Sequence, residues 1–398
     1  MEQATKIRER SEALRDYTAE NLSRIVQIPS LSGEEAEVIA CLQEMCEQAG
    51  FDEVQVDGLG NLVARVGHGP RLMAIDAHID TVDTGDVAQW HLPPYSGKIA
   101  DGQVHGRGSV DQKGGAAAMV TAGRLLKEMG YGGDYTVCCT FTIMEEDCDG
   151  LCWNYLIEKE RLVPEFAVIT EPTNLGIYLG QRGRMEFDLT FGGLSAHGSA
   201  PERGDNAIYR ASEMSLRIRD LNERLAEDPF LGKGSVAVTM IGSDSPSLCA
   251  IPDQCAIHLD RRLTWGETQE SARAELEAIA DDKTQTIVPM YDRLSYKGTN
   301  HPQQKYYPTW KISPDHRIVQ AGCQAYRALF YEAPRVDKWT FSTNGVAICG
   351  KHGIPCLGFG PGNEIYAHAP NEAIPIDHLV KAAAFYALLP YMLEGEPE

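Results

Sequence analysis

Histidines and carboxylates stand at the ends of several apolar segments of this sequence, in positions where side chains can bind metal ions. His78 and Asp80 lie in "AIDAHIDTV", which otherwise has the composition of a short buried strand. Burying charge is unfavourable unless a partner offsets it. One interpretation is a core histidine paired with a carboxylate. The other is a metal-ligating imidazole oriented by an acid behind it.

Four further segments place acids or a histidine where a strand ends or in a loop. Each has an ordinary structural interpretation when taken alone: a loop cap, a solvated turn, a turn before proline or a surface histidine. Together, two histidines and three carboxylates at the carboxyl edge of a sheet have the composition of a two-metal hydrolytic site. A spare acid must then take the proton of the attacking water. The segments are "RGSVDQKGG" with Asp111, "TIMEEDCDG" with Glu145 and Glu146, "VITEPTN" with Glu171, and "IYAHAPNE" with His368.

The secondary-structure elements that would position these residues follow two different patterns along the chain. Strands and helices alternate up to about residue 182, which favours a layered α/β domain with a largely parallel sheet. From residue 183 the order is βαββαβ, which is that of a ferredoxin-like unit. The alternation of strands and helices then resumes. We therefore predict a catalytic domain in two parts, 1–182 and 305–398, with an inserted domain at 183–304. In "SGEE", Ser32 and Glu35 predict a capping box for a helix that runs to about residue 48.

Composition limits the function further. The chain has 398 residues and a formal net charge of −21, which argues against a nucleic-acid partner. Neither a signal peptide nor a bilayer-spanning apolar run is recognised, so we expect no membrane partner. Eleven cysteines without a Cys-x-x-Cys pair indicate reduced thiols and a cytoplasmic location.

These motifs resemble the M20 family of metallopeptidases and amidohydrolases over nearly the whole chain. The resemblance is carried by "AIDAHIDTV", "HLPPYSGKIADGQVHGRGSVDQKGG", "TIMEEDCDG", "VITEPTN", "GLSAHGSAPERGDNAI", "IPDQCAIHLDRRL" and "GPGNEIYAHAPNE". It points to the branch of acetylornithine deacetylase and succinyl-diaminopimelate desuccinylase. Within that branch the sequence is most similar to a bacterial subgroup described as peptidases or selenium-metabolism-linked hydrolases. The implied fold is a zinc-peptidase-like α/β/α catalytic domain with an inserted lid and dimerisation domain.

The resemblance implies a role for each catalytic-domain residue. One metal would be held by His78 and Glu171, and the other by Glu146 and His368, with Asp111 bridging both. Asp80 would orient the imidazole of His78. Glu145 would be the general base that takes a proton from a metal-bridging water and returns it to the leaving amine. Two divalent ions per chain are implied, with zinc expected first and cobalt or manganese as alternatives.

The resemblance also implies roles in the inserted domain. His197 would reach the partner subunit's site in a homodimer and stabilise the tetrahedral oxyanion. Arg262 would bind a substrate carboxylate, although a salt bridge at the strand end is an equal alternative. Three positions depart from the family pattern: Cys249 replaces a common asparagine, Asn344 a usual aspartate and Gln112 a common methionine. Cys249 and Asn344 are therefore the positions expected to alter substrate choice.

The leading hypothesis is a two-metal hydrolase that cleaves an amide in a small N-acyl amino acid or dipeptide-like substrate. A dipeptidase or aminopeptidase of the same family is an alternative, and it would need an acid that receives a free α-amino group. A metal-binding scaffold without turnover is a second alternative, which the intact Glu145 opposes. A phosphohydrolase is a third, since two-metal sites also serve phosphoryl transfer.

Overall fold

The structure is a computed structural model that describes residues 2–245 and 247–394. No helix in this part of the chain is long and apolar enough to cross a membrane. The helices are α1 Glu2–Ala13, α2 Arg15–Val26, α3 Ala36–Ala49, α4 Lys113–Glu128, α5 Leu151–Glu158, α6 Ala207–Asn222, α7 Gln269–Glu277, α8 Arg317–Phe330 and α9 Ile376–Met392.

The strands are β1 Glu53–Val56, β2 Leu62–Val66, β3 Arg71–His78, β4 Lys98–Ala100, β5 Gln103–His105, β6 Tyr135–Thr142, β7 Phe166–Ile169, β8 Ile177–Gln181, β9 Gly183–Gly192, β10 Ala196–His197, β11 Glu227–Asp228, β12 Gly232–Lys233, β13 Ser235–Asp244, β14 Ala250–Ile251, β15 Gln254–Leu263, β16 Thr284–Ile287, β17 Met290–Tyr291, β18 Gln303–Gln304, β19 Tyr306–Tyr307, β20 Trp310–Lys311, β21 Val336–Trp339, β22 Cys356–Gly358 and β23 Ala373–Pro375.

A mixed sheet forms the centre of the larger unit, and the α/β prediction is confirmed. Its strand order is β1-β2-β6-β3-β7-β22-β8-β20, with β21 also paired to β8. The central strands β6, β3, β7 and β22 run parallel, whereas β1, β2 and β20 pair antiparallel at the two sides. Helix α4 packs on β2, β3 and β6, while α8 packs on β8 and β22. Buried apolar residues of these elements form one continuous core.

The segment from β9 to β16 forms a second sheet with its own core. The strand order is β13-β15-β9-β16, all antiparallel, and helices α6 and α7 lie between its strands in the chain. The order of elements is the βαββαβ order that the sequence pattern predicts. Its apolar cluster is separate from that of the larger unit. Strand β19 also pairs with β9, beyond residue 304. The domain bounds 1–182, 183–304 and 305–398 remain a prediction.

The predicted capping box at the start of α3 is wrong. Glu35 is the N-terminal cap residue of α3, and its side chain makes no capping bond. Its Oε1 accepts hydrogen bonds from the backbone N–H groups of Gly33 and Met144 instead. The Ser32 hydroxyl donates to Asp80 Oδ2 at 2.7 Å. Both side chains therefore make hydrogen bonds at the sheet edge where His78 and Glu145 lie.

Close approach of α4 to the end of β7 depends on Gly115. A Cβ atom at this position would lie 2.8 Å from the Cβ of Thr170, which is closer than real Cβ contacts allow. Thr170 immediately precedes Glu171, and its hydroxyl donates to the Gln112 side chain at 2.8 Å. The glycine thus lets the helix that follows Asp111 pack directly against the strand that precedes Glu171.

We expect Gly115→Ala to lower the free energy of unfolding by about 1–3 kcal/mol, because overpacking forces the helix and strand apart. Gly132→Ala is the control, since a Cβ at Gly132 has no neighbour within 4 Å. Urea unfolding of both variants measures the difference. Equal midpoints for the two variants would contradict this account of the contact between α4 and β7.

Candidate metal centre and active site

Three neighbouring parallel strands bring most of the predicted residues to one edge of the central sheet. His78 is the last residue of β3 and pairs with Thr142, the last residue of β6. Glu145 and Glu146 follow β6, and Glu171 follows β7. Because β6, β3 and β7 are adjacent and parallel, their carboxyl ends meet at the same edge. The prediction that these residues converge rests on this topology.

Asp111 lies between the two histidines. Its Oδ1 is 3.0 Å from His78 Nε2, and its Oδ2 is 3.4 Å from His368 Nε2. His368 Nε2 is also 3.0 Å from Glu146 Oε2, while His78 Nε2 is 3.5 Å from Glu171 Oε1. This gives two groups that share Asp111, which is the arrangement expected of a bridging carboxylate.

The donor set fits two divalent cations. The ligand atoms of His78, Glu145 and Glu171 lie within 4.8 Å of one another, as do those of His78, Asp111 and Glu146. Three carboxylate oxygens there are buried and have no hydrogen-bond partner among the described residues: Glu145 Oε1, Glu146 Oε1 and Glu171 Oε2. Buried charges are normally paired or bind metal. Imidazole and carboxylate together suit zinc and similar ions.

Burial and mutual repulsion dominate the electrostatics of this cluster. Burial, with the nearby Asp111 carboxylate, raises the pKa of Glu171 well above its ordinary value. Burial likewise raises the pKa of Glu145 well above its ordinary value. For His78, burial opposes protonation, but surrounding carboxylates, Glu171 first, raise the pKa well above its usual range. The cluster thus has an excess of negative charge that cations would offset.

Asp80 supports both His78 and the pair of glutamates. The Nδ1 atom of His78 lies 3.0 Å from the Asp80 backbone carbonyl and 3.5 Å from its carboxylate. Since a carbonyl only accepts, Nδ1 carries a proton, which leaves Nε2, directed at Asp111, as the ring atom that can bind metal. The Asp80 carboxylate accepts hydrogen bonds from the backbone N–H groups of Glu145 and Glu146 and from the Ser32 hydroxyl. Its closest contact to His78 is therefore through the main chain.

A buried ion pair joins the loops that carry Asp111 and His368. Arg107 Nη1 lies 2.8 Å from Glu372 Oε2, and Nη2 donates to the His368 carbonyl. The Glu372 carboxylate also accepts from the backbone N–H groups of Gly108, Val110 and Asp111. Glu372 received no role from the sequence, although it ends the motif "GPGNEIYAHAPNE".

The ligands and Glu145 line a cavity of about 330 Å³, a size that suits a small ligand. Arg262 also lines it, but its Nε and Nη2 donate to Asp260 at 2.7 and 3.1 Å. The salt bridge, one of the two interpretations of Arg262, is therefore present, and the contact to a substrate carboxylate stays a prediction. Six lining residues have no sequence-based role: Asp149, Arg184, Phe341, Ser342, Glu364 and Ala367.

Two of these residues, Arg184 and Asp149, pair with each other, a contact that local sequence patterns do not predict. Arg184 is the second residue of β9 and faces Arg262 across the β9–β15 ladder. Its Nη2 is 3.4 Å from Asp149 Oδ1. Arg184 Nε and Asp149 Oδ2 are both buried and have no hydrogen-bond partner among the described residues. The sequence periodicity of β9 predicts only a strand. It does not predict the contact of Arg184 with Asp149, because Asp149 lies in a distant segment, the loop after β6.

His197, Cys249 and Asn344 lie outside this cavity wall. His197 and Cys249 are exposed next to the β10–β14 pair, where the Gly198 N–H donates to the Cys249 carbonyl. Asn344 is 1% exposed. Its Nδ2 donates to Asp76 Oδ2 at 2.9 Å, and its Oδ1 accepts from the Gly150 N–H. The structure thus places Asn344 beneath the site as a support, so the expectation of a direct substrate contact is not met.

Together the fold and the site define a metal-dependent hydrolase that acts on amide or peptide bonds. The chain belongs to the peptidase family M20/M25/M40, whose profile matches residues 74–391. This confirms the family resemblance.

Relatives and solved structures support the assignment. The Escherichia coli K12 protein YgeY, which is described as uncharacterized, is 51% identical over 385 residues and covers 95% of this chain and 96% of its own length. Succinyl-diaminopimelate desuccinylase 2 of Shewanella loihica is 28% identical over 276 residues, covering 65% of this chain and 71% of its own. The structure of the M20 metallo-carboxypeptidase Sso-CP2 of Sulfolobus solfataricus has the same fold, with a TM-score of 0.75, 17% identity and coverage of 95% and 99%.

We expect Glu372→Gln to lower the free energy of unfolding by about 3 kcal/mol, because it leaves buried Arg107 without its counter-charge. Glu44→Gln, which breaks the exposed pair between Arg24 and Glu44, is the control and should cost less than about 1 kcal/mol. Chemical denaturation of both variants tests this. A cost for Glu372→Gln no larger than that of the control would contradict the supporting role of the pair.

Proposed function

We propose that this protein hydrolyses an amide bond in a small N-acyl amino acid or dipeptide-like substrate at a two-metal site. The observation that carries the proposal is the position of Asp111, with one oxygen beside His78 and the other beside His368. A carboxylate shared in this way suits two adjacent cations. In this proposal His78 and Glu171 hold one ion, and Glu146 and His368 hold the other.

Two divalent ions in such a site lower the pKa of a bound water and polarise the amide carbonyl. We propose zinc as the native metal, with cobalt or manganese as alternatives, because the ligands are imidazole and carboxylate. The eleven cysteines are all free, and most are buried. This supports the proposal of a reducing, cytoplasmic location.

Glu145 is the proposed general base. Its Oε2 lies 3.9 Å from His78 Nε2, and its Oε1 has no hydrogen-bond partner among the described residues. The Glu145 backbone N–H donates to Asp80, which holds this buried residue beside the ligand cluster. Glu145 takes a proton at a carboxylate oxygen and delivers it to the nitrogen of the leaving amine.

Arg262 and Arg184 are the residues proposed to bind the substrate carboxylate at one end of the cavity. Both stand on strands of the smaller sheet, directly across from each other. Arg184 Nε is a buried donor without a hydrogen-bond partner among the described residues, whereas the guanidinium of Arg262 already donates to Asp260. Arg184 is therefore a second candidate for the carboxylate contact that the sequence assigned to Arg262 alone.

The smaller unit is the proposed lid and dimerisation domain. His197 is exposed and is not among the residues that line this chain's own cavity. That position agrees with the proposal that it acts in the site of a partner subunit in a homodimer. Cys249 lies beside it on the same surface and would approach substrate by the same route.

A dipeptidase or aminopeptidase is the second candidate function. It needs an acid that receives a free amino group, and the sequence alone identified none. The cavity wall contains two acids outside the ligand cluster, Asp149 and Glu364. A scaffold without turnover remains opposed by the placement of Glu145 beside the ligands.

We expect Glu145→Gln to abolish turnover while bound metal and thermal stability stay at wild-type levels, because the amide cannot accept the proton. N-acetyl, N-succinyl, N-carbamoyl and dipeptide substrates are screened with metal restored, and release of a free amine is measured. Asp147→Asn, in the same loop but outside the cavity lining, is the comparison variant. Wild-type turnover in Glu145→Gln would contradict the assignment of the base.

The trans role of His197 predicts complementation between two inactive variants. His197→Ala and Glu145→Gln should each be inactive alone, because each homodimer lacks a group at both sites. A mixed dimer has one complete site, so a mixture of equal amounts that exchanges subunits should recover about one quarter of wild-type activity per chain. Activity measured after co-refolding tests this, and no recovery in a confirmed mixed dimer would contradict the trans assignment.

A further inference from the structure

The segment that carries His368 borders a second cavity as well as the one at the metal centre. This second cavity has a volume of about 470 Å³, and it shares no lining residue with the cavity that contains the ligand cluster. Its walls come from parts of the segments 90–93, 103–106 and 363–378, together with Asn174. The volume is large enough for a small organic ligand.

Hydrogen bonds between distant parts of the chain fix the walls of the second cavity. The His91 backbone N–H donates to Asn371 Oδ1 at 2.6 Å, and Asn371 Nδ2 donates to the Gln89 carbonyl at 2.9 Å. On the other wall, His105 of β5 pairs with Ala373 of β23. The cavity is therefore enclosed by paired elements and bonded loops.

The polar part of the lining consists mainly of imidazole and amide groups, and three of the lining residues are histidines: His91, His105 and His378. The Nε2 atom of His105 is buried and has no hydrogen-bond partner among the described residues. His378 Nδ1 accepts from the Gly362 N–H at 3.2 Å, and burial lowers the pKa of His378. The neutral ring of His378 therefore carries its proton on Nε2, which can donate to a ligand.

The lining has no carboxylate oxygen left to accept a hydrogen bond from a ligand. Glu372 is the one acid among the described lining residues. Its Oε2 accepts from Arg107 and Gly108, and its Oε1 accepts from Val110 and Asp111. Donors without a free carboxylate beside them favour a ligand that brings acceptor oxygens and negative charge.

A metal ion does not suit the three imidazoles of this cavity. Among the described residues, three possible ligand atoms within 4.8 Å of one another occur only in the groups that contain His78. The imidazoles are thus spaced for a ligand larger than one ion. The rest of the wall offers apolar and aromatic contact to such a ligand, through Trp90, Leu92, Pro93, Tyr366 and Pro375.

We propose that the second cavity is a binding site for an organic anion, namely a carboxylate attached to an apolar or aromatic body. The carboxylate accepts hydrogen bonds from His105 and His91, and the body lies against the apolar wall. Glu372 lines this cavity and also holds the main chain of Asp111, so the bound anion lies next to a support of the metal centre. The site is separate from the substrate cavity and does not depend on the proposed function.

Three probes of related shape or charge test the ligand class. Benzoate and benzamide have the same shape and differ in charge, whereas phosphate has the charge without the ring. Calorimetry on the zinc-loaded wild-type protein measures their dissociation constants. We expect benzoate to bind with a Kd of about 1 mM or lower, and about 10-fold more tightly than either of the other probes, because a hydrogen bond to a charged group is the stronger one.

Two variants test whether benzoate occupies the second cavity. His105→Phe removes the buried donor and should weaken benzoate binding about 10-fold. His91→Ala removes an exposed ring and leaves the main-chain bond to Asn371 in place, so it is the deciding variant if His105→Phe does not fold. It should weaken binding about threefold. His68→Ala is the control, because this exposed histidine lies outside the cavity, and it should leave the Kd unchanged.

Lack of benzoate binding up to about 10 mM, or equally tight binding of benzamide or phosphate, would overturn the proposal. A wild-type Kd in both His105→Phe and His91→Ala would also overturn it, because benzoate would then occupy another place such as the metal centre. The hydrolysis screen tests the proposed function separately. Failure of the second site in these titrations would leave that function standing.

Discussion

Burial of several carboxylates at one edge of the central sheet is the constraint on which the rest of the structure depends. Asp111, Glu145 and Glu171 are each less than a tenth exposed, and they share one small space with His78. Charges of one sign at this separation and burial are costly, and two imidazoles do not neutralise them. Divalent cations would offset this cost, so the same arrangement that is unfavourable for an ordinary core is favourable for a metal centre.

Holding such a cluster in place requires support from residues that are distant in the chain. Asp80 fixes the main chain of Glu145 and Glu146 and is itself held by Ser32. Glu372 fixes the main chain around Asp111, and its partner Arg107 holds the His368 carbonyl. Both supporting carboxylates accept several backbone N–H groups. Supports of this kind orient ligands and tune metal affinity, and they explain why acids beyond the ligands are also buried.

The sequence predicted the order of the main elements well, because that order depends on local patterns. A βαββαβ order was expected from residue 183, and strands and helices β9, α6, β13, β15, α7 and β16 follow it. The antiparallel pairing of β1, β2 and β20 was not predictable, since pairing joins segments whose patterns do not encode direction. The predicted capping box of Ser32 and Glu35 failed for a related reason: tertiary partners outcompeted the local one.

The residues that define the cavity wall depend on contacts between distant segments, and local patterns did not reveal them. Arg184 had only the signature of a strand residue, and Glu364 that of a loop residue, until the fold placed both beside the ligand cluster. Asn344 illustrates the opposite case. A departure from the family pattern suggested a substrate contact, whereas its side chain is buried against Asp76, two residues before His78. A family pattern locates an important position but does not show whether it touches substrate or supports the site.

The number of metal ions that the cluster holds is the most direct test of a two-metal site. Elemental analysis of purified protein, after removal of metal and reloading with zinc, measures this number for the wild type and for Asp111→Asn. We expect about two ions per chain in the wild type and a clear loss in the variant, since the Asp111 carboxylate serves both groups. Wild-type protein that binds no metal under any loading condition would contradict the central claim.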